Sequence, residues 1–368
     1  MLEGSLRSLS PTAAPIDFAS NDYLGLAHSR EIAQRTMEIL EGARSLNGST
    51  GSRLLSGNHP LYAAVEEHLQ SWHGAQAALV FNSGYDANLG FFACVPQRGD
   101  LVLYDERIHA SIRDGIQLGR AKAYKFAHGR PEDLERQWER HAKGRQDMEV
   151  YVVTESLFSM DGDTPDLLGL AEFCKERDCH LVVDEAHATG IYGGGRDLVS
   201  QLGLEGSVFA RVITFGKAIG GHGAAILGSV PLRDYLLNFA RSLIYTTALP
   251  PHALAGILAA YGHLGESAGE RLPKLFDNIA AFGQEVVDLG LSGSFVPSTS
   301  AIQCALVPGN GRAREVASKL QAQGFDVRPI LSPTVAQGRE RLRFCLHAHN
   351  DPGEISRILG LLKQLLIP

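Results

Sequence analysis

Cysteine is scarce in this chain and poorly spaced for metal or disulfide chemistry. The five residues (Cys94, Cys174, Cys179, Cys304 and Cys345) are scattered and odd in number. No C-x-x-C pair is present, so neither a zinc ribbon nor a disulfide framework is expected. Buried free thiols in a reducing compartment are the expectation. Also missing is any apolar stretch approaching the roughly 18 residues that span a bilayer. Met1 to Pro15 has neither a basic start nor an apolar run, so no signal peptide is expected and the cytoplasm is the default. There is no basic block either. The net charge of −7 argues against nucleic acid or an anionic membrane as the main partner.

What is present is an ordinary globular composition, 44% hydrophobic and 20% charged over 368 residues. That length supports a large core and more than one domain. Residues 1 to about 20 read as loosely structured. Ser29 is placed to cap a helix running to Gly42, and the polar, glycine-rich Asn47–Arg53 reads as a loop. Pro60 opens a helix with Leu61, Ala64, Val65, Leu69 and Trp72 at helical spacing.

Short apolar runs then alternate with helix-length segments such as Leu167–Cys179. The strand-like runs are Ala77–Phe81, Leu101–Tyr104, Val150–Thr154, Leu181–Asp184, Arg211–Phe215 and Ala225–Ser229. Their continuous apolar character predicts burial on both faces, hence an α/β fold with a mainly parallel sheet flanked by helices. Beyond Arg241 the pattern changes. A long helix is predicted from Pro250-Pro251 to about Gly290. Alternating strands at Ala301–Val307, Phe325–Pro329 and Leu342–Leu346 follow, with helices at Ala313–Gln323 and Gly353–Leu366. The expected organisation is an N-terminal segment (1–45), a large α/β domain (46–245) and a smaller C-terminal α+β domain (246–368).

The most informative residue is Lys217, in Thr214-Phe215-Gly216-Lys217-Ala218, where a β-branched strand runs into a glycine-rich loop. An earlier apolar strand ends in Asp184-Glu185-Ala186-His187. That tetrad also occurs in nucleotide hydrolases, which need a G-x-x-x-x-G-K-[ST] loop. Here the first glycine position is Arg211 and the residue after Lys217 is Ala218, so that reading falls. A carboxylate closing one strand and a lysine closing the next instead suit pyridoxal phosphate (PLP). The lysine forms the Schiff base, and the carboxylate pairs with the protonated ring nitrogen.

Open parallel sheets bind ligands beyond the carboxyl ends of their strands, and other polar residues fall there. Ser83-Gly84 turns the chain into a helix whose N-terminus suits a phosphate, with an ordinary helix cap as the alternative. Thr214 adds a hydroxyl to the same phosphate. His109 is placed to stack on the ring, or else is a capping residue. The carboxylate-rich loop Thr154–Asp163 has no histidine to make it a metal site. His187 is positioned for the cofactor's phenolic oxygen, or else supports a neighbour.

Together these segments resemble the α-oxoamine synthases of the PLP-dependent fold-type-I superfamily. The resemblance runs from about Phe18 to the C-terminus. It rests on Ser20–Leu26, His109-Ala110-Ser111, Phe158–Asp163, Asp184–His187, Thr214–Lys217, Phe239–Thr247 and Arg341-Leu342-Arg343. It implies that Lys217, Asp184 and His109 are catalytic, and that Ser159 with His187 contacts cofactor oxygens. It also implies that Ser83, Gly84, Tyr85 and Thr214 hold the phosphate. Thr246 and Thr247 match a segment that reaches a neighbouring subunit's phosphate, implying a homodimer with shared sites. Arg343 matches the arginine for the amino-acid carboxylate, with Asn21 nearby and Arg328 and Arg341 as further candidates. The implied reaction is decarboxylative condensation of L-alanine, or else glycine or serine, with an acyl thioester on coenzyme A or acyl-carrier protein. The acyl group expected is pimeloyl. A catalytically silent interaction subunit is the rival from another class, opposed by intact Lys217, Asp184 and His109. Two departures stand out: a leading segment shorter than in many relatives, and His222 in Gly220–Gly223, expected to face solvent.

Overall fold

The computed structural model describes residues 15–43, 47–145 and 147–366. The expectation for residues 1–14 therefore lies outside the described residues. The chain divides into two compact units. One comprises Leu26–Leu157 and Thr164–Ala268; the other comprises Met1–Gly25, Phe158–Asp163 and Gly269–Pro368.

The first strand, β1 (Ile16–Asp17), belongs to the smaller unit. The larger unit is built on β2 (Ala77–Phe81), β3 (Leu101–Asp105), β4 (Lys122–Phe126), β5 (Val150–Glu155), β6 (His180–Asp184), β7 (Ala210–Thr214) and β8 (Ala224–Gly228). Their order is β2-β8-β7-β6-β5-β3-β4. Pairing is parallel from β4 through β7, and β8 runs antiparallel to both its neighbours. This is the mainly parallel sheet predicted. β2, β5 and β7 are buried along their whole length, as continuous apolar runs require when helices cover both faces.

One strand of this sheet escaped the sequence. Lys122-Ala123-Tyr124-Lys125-Phe126 forms β4 at the sheet edge, where two lysines are exposed. An edge strand has one partner and tolerates charge, so it lacks the apolar continuity that marks its neighbours. The core of this unit gathers Leu79, Phe81, Phe91, Val102, Ile112, Val153, Val182, Val212, Ile226 and Leu236.

Helix limits follow local chemistry. Ser29 caps Arg30–Gly42, its side chain accepting the Ile32 N–H at 3.3 Å. Asp166 caps Leu167–Glu176 by accepting Gly169 N–H at 2.9 Å. That helix stops three residues before the predicted Cys179, because Asp178 takes a left-handed φ of 51° that a helix cannot accommodate. The expected Asn47–Arg53 loop holds up to Ser52, after which Arg53–Gly57 makes one π-helical turn. The long helix is confirmed as Pro251–Asp288.

The smaller unit contains β9 (Phe295–Val296), β10 (Ile302–Leu306), β11 (Phe325–Asp326), β12 (Arg328–Ile330) and β13 (Arg341–Cys345). β12-β13-β10-β9 form an antiparallel sheet. The predicted strand Phe325–Pro329 is divided, because β11 pairs in parallel with β1 whereas β12 pairs with β13. The same pairing corrects the loose N-terminus: Ile16 and Asp17 lie in a ladder, and Phe18 is fully buried. Helices Asn310–Ala322 and Pro352–Leu366 match prediction to within a few residues. No helix among the described residues is long and apolar enough to cross a membrane.

Candidate active site

Within the larger unit, the carboxyl ends of β5, β6 and β7 bring the principal candidates together. Asp184 is the last residue of β6, and Lys217 follows the end of parallel β7 by three residues. The Lys217 loop is a tight turn, with Gly220 N–H donating to Lys217 O at 2.8 Å and Gly221 N–H to Phe215 O at 2.7 Å. Gly220 has a φ of +67°, and a Cβ there would meet Ala27 N at 2.3 Å. Only glycine fits that position.

Asp184 is buried and held from two sides. Ala186 N–H donates to Oδ1 at 2.9 Å, and Asn88 Nδ2 donates to Oδ2 at 2.7 Å. Asn88 projects from the Gly84–Cys94 helix and is itself buried. The sequence reading passed over it. Its signal was a polar residue among Ala87, Phe91 and Phe92, all buried on one helix.

His109 caps the Ala110–Leu118 helix, as its alternative reading proposed, and its ring is nonetheless at the site. Burial lowers its pKa, and Lys217 adds to that, while Asp184 and Asp114 pull the other way. Glu155, the last residue of β5, is also buried; burial and the Asp184 charge push its carboxyl well above the usual range, with Lys217 opposing. His109 and Glu155 thus each feel both Asp184 and Lys217, which places the four groups in one electrostatic neighbourhood. His187 is buried in the loop after β6.

A second focus is the start of the Gly84–Cys94 helix. Ser83 caps it, accepting Asp86 N–H at 3.0 Å and donating to Asp86 Oδ2 at 2.7 Å. A Cβ on Gly84 would lie 3.9 Å from Thr214 Oγ1, and one on Gly216 would lie 4.0 Å from the same oxygen. Two bare glycines around one hydroxyl, at a helix N-terminus, make a cradle for an anion. The Tyr85 side chain turns away into solvent and bonds Asp114, so only its backbone is available to that cradle. Asn82 Nδ2 ties Thr246 Oγ1 at 3.3 Å and Thr247 O at 2.7 Å to the same segment. His222 is exposed, as expected.

The remaining candidates lie in the smaller unit. Arg343 Nη2 donates to Asn21 Oδ1 at 2.7 Å, which also accepts the Tyr23 hydroxyl at 3.2 Å. Arg343 Nε is buried without a hydrogen-bond partner. Arg328 forks onto Asp326 at 2.7 and 3.0 Å, and Arg341 bonds Asp161 and Met160 O. Those two guanidinia already have anionic partners, whereas Arg343 has no ion pair among the described residues. Ser159 is half-buried in the Phe158–Asp163 segment of this unit.

The residues of the larger unit fit PLP. Asn88 Oδ1 is a buried acceptor without a partner beside Asp184, the glycine cradle suits the phosphate, and the Lys217 amine shares the electrostatic surroundings of Asp184. A lysine and a carboxylate at the carboxyl ends of adjacent parallel strands, in a sheet of this order, define a fold-type-I PLP-dependent transferase. The aminotransferase class I and II family matches residues 13–362, and the chain belongs to that family. It is 42% identical over 377 residues to the 8-amino-7-oxononanoate synthase of Emericella nidulans, covering 96% of this chain and 90% of that one. Among solved structures, a serine palmitoyltransferase from S. paucimobilis with PLP and myriocin bound superposes with a TM-score of 0.88 at 29% identity. The match covers 95% of this chain and 87% of that one. The 8-amino-7-oxononanoate synthase of Francisella tularensis superposes with a TM-score of 0.79 at 28% identity, covering 95% and 97%.

Proposed function

We propose that this chain is a PLP-dependent acyltransferase of biotin biosynthesis. It condenses L-alanine with a pimeloyl thioester to give 8-amino-7-oxononanoate, carbon dioxide and the free carrier thiol. The observation that carries the reading is the placement of Lys217, Asp184 and His109 at one end of the sheet, in a chain 42% identical to a synthase of that name.

PLP, when bound, supplies a carbonyl that captures amines and a ring that accepts the electron pair left when a substrate bond breaks. The Lys217 amine is the group that attaches it. The Lys217 amine would also be the base for the alanine Cα proton. The Asp184 carboxylate, braced by Ala186 and Asn88, would pair with the ring nitrogen and favour its protonated form. His109 is assigned to the ring face, His187 and Ser159 to cofactor oxygens. The first-turn N–H groups from Gly84 and Tyr85, with Thr214 and the Ser83 cap, are assigned to the phosphate. Arg343 is assigned to the alanine carboxylate. Its charge holds that group until carbon dioxide leaves, and Asn21 fixes the guanidinium plane.

A homodimer is part of the proposal. Leu54 and Leu55 are 49% and 86% exposed on the Arg53–Gly57 turn, and Tyr245 is 73% exposed immediately before Thr246-Thr247. Large apolar side chains so exposed support burial against a second copy. Light scattering on the purified protein should give twice the 39.7 kDa chain mass.

The likeness to serine palmitoyltransferase favours one second reading, in which serine and a long-chain acyl thioester are the substrates. A panel of alanine, glycine and serine against acetyl-, succinyl-, pimeloyl- and palmitoyl-thioesters, following thiol release, separates the two. Preference for alanine with the pimeloyl donor is expected. Preference for serine with the palmitoyl donor would overturn the proposal.

A further inference from the structure

Asn88 uses both of its amide protons. One goes to Asp184 Oδ2 at 2.7 Å and the other to Ser111 Oγ at 3.0 Å. The amide orientation follows from this, since turning it over would set Oδ1 against a carboxylate that can only accept. Ser111 Oγ, having accepted from Asn88, lies 2.8 Å from His109 Nδ1. The Ser111 N–H also donates to that nitrogen, at 3.2 Å. Nδ1 is therefore an acceptor, the neutral ring carries its proton on Nε2, and the hydroxyl proton points to Nδ1. Donation runs one way, from Asn88 through Ser111 to His109, while the other Asn88 proton holds Asp184. All four side chains belong to the larger unit.

We propose that Asn88 is a positioning residue. It locks the carboxylate assigned to the PLP ring nitrogen and couples it, through Ser111, to the histidine assigned to the ring face. This rests on the function proposed above. Asn88 itself is not placed against the substrate and acts through Asp184 and His109. Its cost is visible in the structure, because Oδ1 is buried without a hydrogen-bond partner. A leucine would fill the same helix position without that penalty.

Two substitutions separate positioning from packing. Asn88→Asp has nearly the same shape but exchanges a donor for an acceptor facing Asp184, in a neighbourhood that already holds Glu155, Lys217, His109 and Asp114. Asn88→Ala removes both bonds and adds no charge. PLP dissociation constants, from absorbance titration of each purified variant between pH 6 and 8.5, are the primary readout. Asn88→Ala should weaken PLP binding by about tenfold or more, the scale of a lost hydrogen bond to a charged group. Asn88→Asp should be weaker still at pH 8.5 and recover toward pH 6, where the new carboxyl takes up a proton and donates again. A packing role predicts the reverse order, with the isosteric Asp close to wild type and flat in pH.

That reverse order would overturn the proposal, as would wild-type affinity in Asn88→Ala. Should Asn88→Ala not fold, the pH profile of Asn88→Asp decides alone. Should neither fold, Ser111→Ala decides, with a shift in the pH midpoint of the bound-cofactor absorbance expected and an unchanged midpoint counting against the relay. Failure of the PLP assignment itself looks different, since the wild-type protein would then bind no PLP at all, and a different substrate preference would leave this test unaffected.

Discussion

Glu155 and Asp184 stand opposite one another in the parallel pairing of β5 and β6, each the last residue of its strand. Both are buried. Two carboxyls so placed do not both ionise readily. Asp184 receives two donors, one of them the Asn88 amide. Burial and the Asp184 charge push Glu155 well above the usual carboxylate range.

The first prediction is that Glu155→Gln, neutral and of the same shape, keeps PLP binding and turnover within a few-fold of wild type at pH 7. The sign of the pH effect follows from the raised pKa. Stability from neutral Glu155 is fully present below about 4, the ordinary carboxylate value, and is lost as pH rises toward the folded value. Urea midpoints for the wild type should therefore fall with rising pH more than those of Glu155→Gln. A large loss of PLP affinity at pH 7 in the variant would show that an ionised Glu155 is needed.

The parallel sheet and Lys217 were legible in the sequence because both rest on short-range patterns. Buried strands carry continuous β-branched runs, and the Lys217 loop is marked by glycines. Lys122–Phe126 was not legible, because an edge strand needs no apolar run. The division of Phe325–Pro329 was invisible too, since the chain changes partners at Val327 and only tertiary pairing reveals it. Asn88 was missed for a related reason. Its partners Asp184 and Ser111 are distant in sequence, and a lone asparagine in a helix says nothing of a buried carboxylate. Arg343 could be separated from Arg341 and Arg328 by resemblance alone, whereas in the structure Asp161 and Asp326 already hold the other two.

Lys217→Ala removes both the attachment point and the base. Turnover, read as carrier-thiol release, should fall by about a thousandfold or more. Borohydride treatment of the wild type with PLP should add a reduced pyridoxyl mass to the Lys217 peptide and leave the variant unlabelled. Labelling of a different lysine in the wild type would refute the assignment.

Gly220→Ala tests the loop that presents Lys217. Its φ of +67° disfavours any side chain, and the added Cβ would press on Ala27 N at 2.3 Å. Backbone cannot swing aside as a flexible side chain can. A loss of about 1–3 kcal/mol in stability is expected, with weakened PLP affinity because Gly220 N–H bonds Lys217 O. Gly206→Ala is the control. Nothing lies within 4 Å of its Cβ position, so urea unfolding of that variant should match the wild type closely.

The buried network around Asp197 supports the last prediction. Arg211, in β7, donates from Nη1 to Asp197 Oδ2 at 3.0 Å and from Nη2 to His73 O at 2.7 Å. His73 Nδ1 lies 2.8 Å from Asp197 Oδ2, and its Nε2 lies 3.0 Å from the Tyr261 hydroxyl. A carboxylate only accepts, so Nδ1 carries the proton and Nε2 accepts from Tyr261. Burial would raise the Asp197 pKa, yet the His73 hydrogen bond and Arg211 hold it at about 2. Burial lowers His73, with Asp197 opposing. Both shifts point the same way on acidification. The His73 contribution begins to be lost below about 6.5, where the unfolded ring takes up a proton and the folded one does not. The Asp197 contribution is lost between about 4 and 2. Arg211→Met leaves the carboxylate buried without its guanidinium and should destabilise by about 3–5 kcal/mol at pH 7. Adding Asp197→Asn to that variant removes the stranded charge, and should recover part of the loss in urea unfolding at pH 7. It should also flatten the acid side of the stability profile below about pH 4. If the double variant is no more stable than Arg211→Met alone, the buried charge is not what the arginine neutralises.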